Sequence, residues 1–140
     1  AIERHQLALL NTVIKKAKES ERAYTCLKMA WICRGKAESL PEDTPKREEQ
    51  IKELQEQEKE LLENAYTGFE TAFSKETFPM CGMDEITVSY LLAELARRIG
   101  HYEESSRWIS RVLISREANE RIKNRAREIK ELLNKDMNKA

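Results

Sequence analysis

The sequence predicts an all-α protein. Of its 140 residues, 36% are charged, and only four are glycine and three proline. Helical proteins with solvated outer faces have this composition, because glycine and proline interrupt helices. Apolar residues also recur at steps of three and four in several segments, which is the period of a helix with one buried face. We therefore expect one domain over residues 1–140, with about six helices.

The first two helices are predicted from such stripes. The stripe of residues 2–18 consists of Leu7, Leu10, Ile14 and Ala17. For the second helix, Ser20 is the expected N-cap, because its hydroxyl can accept a free amide hydrogen of the first turn. Gly35 is the expected end, since glycine readily adopts the left-handed conformation found after helices.

A loop over residues 36–45 should separate these helices from a long helix around 46–75. The segment KAESLPEDTP contains two prolines among small and acidic residues. Thr44 and Pro45 are the expected N-cap and first helical residue. Residues 46–60 are mostly charged, with few apolar side chains. We expect this first half of the long helix to be an exposed arm, and the second half to enter the core.

The segment from Met83 to Glu117 is typical of two short helices folded back on each other about Gly100. Asp84 is the expected N-cap of the first of them. Aligned on Gly35 and Gly100, residues 22–78 carry a similar pattern with a long insertion. This spacing resembles a tetratricopeptide (TPR) repeat, in which small residues let paired helices approach. A last helix, with apolar residues from Ala118 to Leu133 on one face, would cover the end of the array.

Three segments resemble a family of bacterial proteins of unassigned function. They are RAYTCLKMAWICRG (22–35), AYTGFETAFSKETFP (65–79) and DEITVSYLLAELARRIGHYEESSRWIS (84–110). In that family an N-terminal, cysteine-rich, zinc-ribbon-like segment precedes a TPR-like region. Since no such segment is present, we expect this chain to be the C-terminal piece of a longer protein. Ser105 and Ser106 stand where repeats prefer alanine, which predicts looser packing there.

Charge and cysteine usage exclude several classes of function. The formal net charge is zero, although residues 1–37 and 97–140 are basic and the middle is acidic. We therefore expect no membrane partner and consider nucleic acid an unlikely one. No apolar run approaches the length of about 20 residues needed to cross a bilayer. Cys26, Cys33 and Cys81 show no CxxC spacing, which suits a reducing cytoplasm.

No pattern of catalytic residues is visible. The only histidines are His5 and His101, and no motif of a hydrolase, nucleotide-binding loop or zinc protease occurs. Cys26 and Cys33 lie two helical turns apart, about 10 Å along the axis, and so cannot chelate one ion together. We expect no enzyme activity, no cofactor and no metal site. Trp31 and Trp108 are expected to pack in the core.

A groove between repeat helices is the predicted site. In TPR-like arrays the first helix of each unit lines the concave face, and such grooves bind peptides or helices of partner proteins. The predicted groove residues are Thr25, Met29, Ile32, Cys33, Tyr90, Glu94, Arg97 and Arg98. Arg97 or Arg98 would orient the ligand; alternatively, both only pair with Glu94 or with the acidic long helix.

Two further interpretations remain open at this point. The basic terminal segments could serve a nucleic-acid-associated regulatory domain, whose binding would weaken steeply with salt. A homodimer could also form through the long helix. The side chains that would pair with a second copy are Ile51, Leu54, Leu61 and Leu62.

Overall fold

The computed structural model describes residues 18–139, and these form five helices and no strand. The helices are α1 (Glu19–Ser39), α2 (Arg47–Lys75), α3 (Glu85–Arg98), α4 (Tyr102–Ile114) and α5 (Glu120–Lys139). The predicted all-α class is therefore confirmed for this part of the chain. The predicted first helix, residues 2–18, lies outside the described residues except for Lys18.

Helices α1 and α2 form an antiparallel pair. The start of α1 meets the residue after α2, because Ser20 hydrogen-bonds Glu76. Toward the other end of the pair, Arg34 forms an ion pair with Glu58 at 2.7 Å. Between these contacts a Cβ built on Gly68 would lie 2.8 Å from the Cβ of Ala23. The two helices can approach this closely only because position 68 has no side chain.

The N-terminus of α1 is capped by a distant carboxylate. Lys18 occupies the N-cap position and makes no side-chain cap, while Ser20 lies inside the helix. Glu76 accepts hydrogen bonds from the Ser20 amide at 3.1 Å and the Ser20 hydroxyl at 2.6 Å. The prediction of Ser20 as N-cap is therefore wrong. A negative charge at this position also complements the positive end of the helix dipole.

Helix α1 does not end at Gly35, as predicted, but continues to Ser39. The turn after Gly35 contains Ala37, which is buried, and Arg34, directly before Gly35, donates two hydrogen bonds to Glu58 of α2. These tertiary contacts outweigh the weak helix propensity of glycine, which costs about 1 kcal/mol relative to alanine. The loop is consequently shorter than the predicted 36–45.

Helix α2 agrees closely with the predicted long helix, but its start and its surface differ from expectation. Its N-cap is Lys46, in the left-handed conformation with φ 53°, rather than Thr44. Residues 46–60 are not a free arm, because α1 covers one side of them, at Ile51, Leu54 and Glu58. Leu62 is only 4% exposed and belongs to the core, so it cannot pair with a second copy.

Helices α3 and α4 form the second antiparallel pair. The Asp84 carboxylate accepts a hydrogen bond from the Thr87 amide at 2.8 Å, which confirms the predicted N-cap. Gly100, with φ 84°, allows the tight turn between the helices. The Ser105 hydroxyl donates to the Ala93 carbonyl at 2.8 Å in a buried position. The prediction of looser packing at Ser105 is therefore wrong, because its only polar group is satisfied.

Helix α5 covers α3 and α4 and runs parallel to α3. Its late residue Asp136 forms an ion pair with Arg97 near the end of α3. Two clusters of buried apolar residues result, one centred on α1, α2 and α3 and one on α3, α4 and α5. Trp108 packs against both clusters, as predicted for a core residue. Trp31, in contrast, is 47% exposed, so its predicted place in the core is wrong.

Removal of the Asp84 cap should destabilise the protein measurably. We expect Asp84→Ala to lower the free energy of unfolding by about 1 kcal/mol at pH 7. The Thr87 hydrogen bond lowers the pKa of Asp84. The contribution of the Asp84 carboxylate to stability is therefore present above the unfolded-state pKa of about 3.9. It is lost as the pH falls through the lower folded-state pKa. Urea unfolding of both proteins between pH 7 and pH 3 measures this.

Two controls accompany the Asp84 substitution. Asp84→Asn should retain most of the stability at pH 7, since the amide oxygen also caps helices. Asp43→Ala, in the exposed turn before α2, should change little. If Asp43→Ala is as destabilising as Asp84→Ala, the effect comes from charge alone and the cap is not its source.

Gly35 and Gly68 should respond oppositely to alanine. Nothing lies within 4 Å of a Cβ at Gly35, so Gly35→Ala should stabilise α1 by about 0.5–1 kcal/mol. Gly68→Ala would force its methyl group against Ala23 and should cost about 1–2 kcal/mol. Addition of Ala23→Gly should recover part of that loss. Thermal unfolding of the three variants tests the close approach of α1 and α2; stabilisation by Gly68→Ala would contradict it.

Candidate protein-binding groove

The structure places the predicted groove residues on two separate surfaces. Thr25 and Met29 line a cavity between α1 and α2. Tyr90 lines another cavity, between α3 and α5. The two cavities share no lining residue. The predicted arrangement, in which Met29 and Tyr90 contact one ligand, is not formed as a single cavity in the described part of the chain.

On α1, the predicted residues are largely exposed. Met29 and Ile32 have exposed fractions of 48% and 56%, which is high for large apolar side chains. The Thr25 hydroxyl is bound to the Glu21 carbonyl of the same helix at 3.0 Å. Cys33 is half-buried, and its Sγ lies 3.9 Å from Gln57 Oε1 on α2. This surface is apolar and contributes no unpaired charge of its own.

Glu94, Arg97 and Arg98 form an ion-pair network instead of a free recognition surface. The Arg97 guanidinium contacts the carboxylates of Glu94 and Asp136, each at 2.8 Å, and only 13% of its side chain is exposed. Arg98 contacts Glu94 at 2.6 Å. Burial acts to lower the pKa of Arg97, but the bonds to both carboxylates outweigh it, and the pKa is raised. The pairing with Glu94 considered from the sequence is thus present, and Arg97 additionally holds α5 in place.

The cavity between α3 and α5 has a volume of about 370 Å³. Its floor is apolar, and arginine side chains stand at its edge. The lining residues are Met83, Thr87, Tyr90, Leu91, Asn119, Arg121, Ile122 and Arg125. We call this surface the α3–α5 groove. The combination of apolar floor and polar edge is what a pocket for a peptide side chain requires.

Arg121 and Arg125 give the α3–α5 groove a positive edge. They are one helical turn apart on α5, so both side chains project on the same side. Within residues 18–139, no carboxylate lies within ion-pair distance of either guanidinium. Tyr90 also lines the groove. Burial and the nearby Glu94 raise the pKa of its hydroxyl, while Arg125 acts to lower it. Two cations are thus available beside an apolar surface.

A second polar cavity, of about 360 Å³, lies between α2 and α4. Its Tyr66 hydroxyl donates to Glu70 at 2.9 Å and accepts from the Trp108 indole at 3.2 Å. Burial raises the pKa of Tyr66 to about 12. Arg111 lies 4.8 Å from the centre of the Phe73 ring and also contacts Glu85. Because these groups are occupied with one another, this cavity is a weaker candidate than the α3–α5 groove.

Among residues 18–139, no three His, Cys, Asp or Glu side chains are grouped so that they could hold a metal ion. The His101 ring packs edge-on against Tyr66, with 5.8 Å between ring centres. No helix in this part of the chain is long and apolar enough to cross a membrane.

The α5 side of the groove was not predicted from the sequence. The predicted groove contains no residue of the last helix, and it combines Tyr90 with residues of α1. The available signal was the i, i+4 spacing of Arg121 and Arg125 next to Ile122, which places basic and apolar groups side by side on one helix. Whether these arginines line a groove depends on which helix α5 packs against, and the sequence pattern does not specify that helix.

Comparison with known protein families identifies a family for this chain. Residues 1–133 match the family described as "Uncharacterized protein conserved in bacteria" (DUF2225). The match covers nearly the whole chain, so this chain belongs to that family. Comparison with curated proteins and with solved structures gives no match.

Arg97 should contribute more to stability than its neighbour Arg98. Arg97→Gln would leave Glu94 and Asp136 without their shared cation and loosen α5. We expect a loss of about 1–3 kcal/mol, typical of hydrogen bonds to charged groups. Arg98→Gln removes a more exposed contact and should cost less than about 1 kcal/mol. Chemical unfolding compares the two; equal losses would mean that Arg97 does not anchor α5.

Proposed function

We propose that this member of the DUF2225 family is a protein-interaction module whose α3–α5 groove binds a peptide or helix carrying apolar and acidic side chains. One observation carries the proposal: Arg121 and Arg125 stand without ion-pair partners in residues 18–139, at the edge of an apolar floor. An acidic side chain would supply the missing counter-charge. Hydrogen bonds between guanidinium and carboxylate groups are among the strongest that proteins form.

The proposed binding mode uses each part of the groove differently. An apolar side chain of the partner would lie on Leu91 and Ile122, and its removal from water would provide affinity. A carboxylate would contact Arg121 and Arg125 and fix the orientation and register of the partner. The aromatic ring of Tyr90 would pack beside the partner's backbone. Arg97 would act indirectly, by holding α5 against α3.

We further propose that the helix pairs are TPR-like repeats. Three features support this: both pairs are antiparallel, α5 runs parallel to α3, and α2 runs parallel to α4. The parallel course of α2 and α4 follows from two ring contacts. Tyr66 contacts His101, and further along both segments Phe73 contacts Trp108. In arrays of this kind, equivalent helices of neighbouring repeats lie parallel. The resemblance also implies that members of the family carry a zinc-ribbon-like segment. Free thiols at Cys26, Cys33 and Cys81 favour the cytoplasm.

Selection from a displayed library of random peptides tests the proposed groove. Wild-type protein should enrich peptides that combine acidic and apolar residues. Arg121→Glu with Arg125→Glu should lose them, because the edge would then repel the acidic side chain. As a matched control, Lys130→Glu with Lys135→Glu makes the same charge change on the same helix, at exposed positions outside the groove, and should retain the selected peptides.

Amide chemical-shift changes caused by an enriched peptide should then map to α3 and α5 around Tyr90. Loss of binding in the control variant, or shift changes confined to other helices, would contradict the proposal. Failure to enrich any peptide, together with duplex DNA or RNA binding that weakens steeply with salt, would favour the nucleic-acid alternative.

A further inference from the structure

The surface of the α3–α5 groove continues beyond the cavity along α5. Five residues of α5 follow one another at steps of four, three, four and four: Arg121, Arg125, Glu128, Leu132 and Asp136. Residues three or four positions apart lie on the same side of a helix, so these five side chains form a single row. We call it the α5 row. Its first two members line the cavity, and the others extend the surface past it.

Two observations place the α5 row beside α3. Near the end of both helices, Asp136 contacts Arg97 at 2.8 Å. Closer to their start, Tyr90 of α3 lies near the middle of the row. Burial raises the pKa of the Tyr90 hydroxyl, Glu128 raises it further, and Arg125 acts to lower it. The row therefore follows α3 from the cavity to the ion pair at Arg97.

The α5 row carries charges of both signs that lack partners. Glu128 is exposed, and no cation in residues 18–139 lies within ion-pair distance of it. Arg121 and Arg125 precede it and are likewise without an ion-pair partner in this part of the chain. A complementary partner would present acidic side chains to the arginines and a basic side chain to Glu128.

An apolar side chain lies on each side of these charges. Ile122 lines the cavity at the start of α5. Leu132 belongs to the row ten positions later and is 43% exposed. Ten residues of helix span about 15 Å, which is nearly three turns. A partner of that length could cover both side chains, and the removal of Leu132 from water would add to its affinity.

The walls of the groove favour a helical partner over an extended one. Both walls are helices, whose backbone amides and carbonyls are bonded internally, and residues 18–139 contain no strand whose edge could pair with an extended segment. The side-chain oxygen of Asn119, which lines the groove, already accepts a hydrogen bond from the Ile122 amide at 2.9 Å. An extended segment would therefore place backbone amide groups on the apolar floor without partners. A helix bonds its own amide groups.

We propose that the partner segment is an α-helix of about three turns that packs along the α3–α5 groove and the α5 row. Its apolar side chains contact Ile122 and Leu132. Its acidic side chains contact Arg121 and Arg125, and a basic side chain contacts Glu128. This inference rests on the proposed binding function and narrows it to one kind of partner.

Two displayed peptide libraries test whether the partner is a helix. Both consist of peptides of about 16 residues, long enough for more than three turns, with an alanine-rich sequence and the same randomised positions. The second library carries proline at two fixed central positions, which prevents a continuous helix. With the full wild-type chain as the target, the first library should be enriched and the proline library should not.

The reach of the helix is tested with one peptide enriched from the first library. Leu132→Ala should weaken its binding about five- to tenfold, as expected for loss of an apolar contact in an interface. Met137→Ala is the matched control. Met137 is 48% exposed and lies about 140° around α5 from Leu132, so its replacement should leave the affinity unchanged.

The charge pattern is tested by repeating the selection with Glu128→Lys. This variant should select helices in which an acidic residue replaces the basic one, at the same spacing from the other acidic residues. Glu103→Lys makes the same charge change at an exposed position on α4, away from the groove. It should select the original pattern.

The outcomes separate this inference from the function on which it rests. Enrichment of the proline library, equal to or above that of the first library, would overturn the helix and leave the binding function intact. Enrichment of neither library would overturn both. Equal losses in Leu132→Ala and Met137→Ala, or unchanged sequences selected by Glu128→Lys, would show that the partner does not follow the α5 row and would overturn the inference.

Discussion

The close approach of paired helices at small residues is the constraint on which the rest of the structure depends. Gly68 lets α2 reach Ala23 of α1, where a further methyl group would not fit. In the second pair, Ser105 approaches the α3 backbone closely enough to donate a hydrogen bond to Ala93. Because each pair is held at a short distance, large residues such as Phe69 and Trp108 fill the space between the pairs.

This packing determines which charges are used for structure and which remain available. Arg97 is surrounded by two carboxylates from two helices, and its burial makes it an anchor between α3 and α5. Arg121 and Arg125, on the same α5, project beside an apolar surface instead. Arginine side chains therefore lie in two different environments within one cluster of helices, one between two carboxylates and one beside an apolar surface. Within residues 18–139, only the arginines of the second environment have no ion-pair partner.

Local sequence signals predicted much of the fold. The all-α class, the extent of α2, the Asp84 cap and the turn at Gly100 all depend on residues close to one another in the chain. The errors occur where distant residues intervene. Ser20 lies inside a helix because Glu76 caps its start, and α1 continues past Gly35 where Arg34 is paired with α2 and Ala37 is buried. Such contacts join positions far apart in sequence and leave no periodic signal.

The candidate site was predictable only in part for the same reason. Tyr90 follows from helical periodicity as an outward residue of α3, and it does line the α3–α5 groove. Which residues stand opposite depends on the packing of α5, so Arg121 and Arg125 were not assigned to the site. Met29 belongs to another surface, because it lines a cavity between α1 and α2. The family match adds no partner, since its description assigns no activity.

A double-mutant cycle between Arg97 and Asp136 measures whether α5 is held against α3 in a fixed register. Unfolding free energies would be measured for Arg97→Gln, Asp136→Asn and the combination. We predict a coupling energy of about 1 kcal/mol or more, since the effects of substitutions at residues in direct contact are not additive. Additivity within about 0.3–0.5 kcal/mol would mean that the two side chains do not interact, and the α3–α5 groove would lose its structural basis.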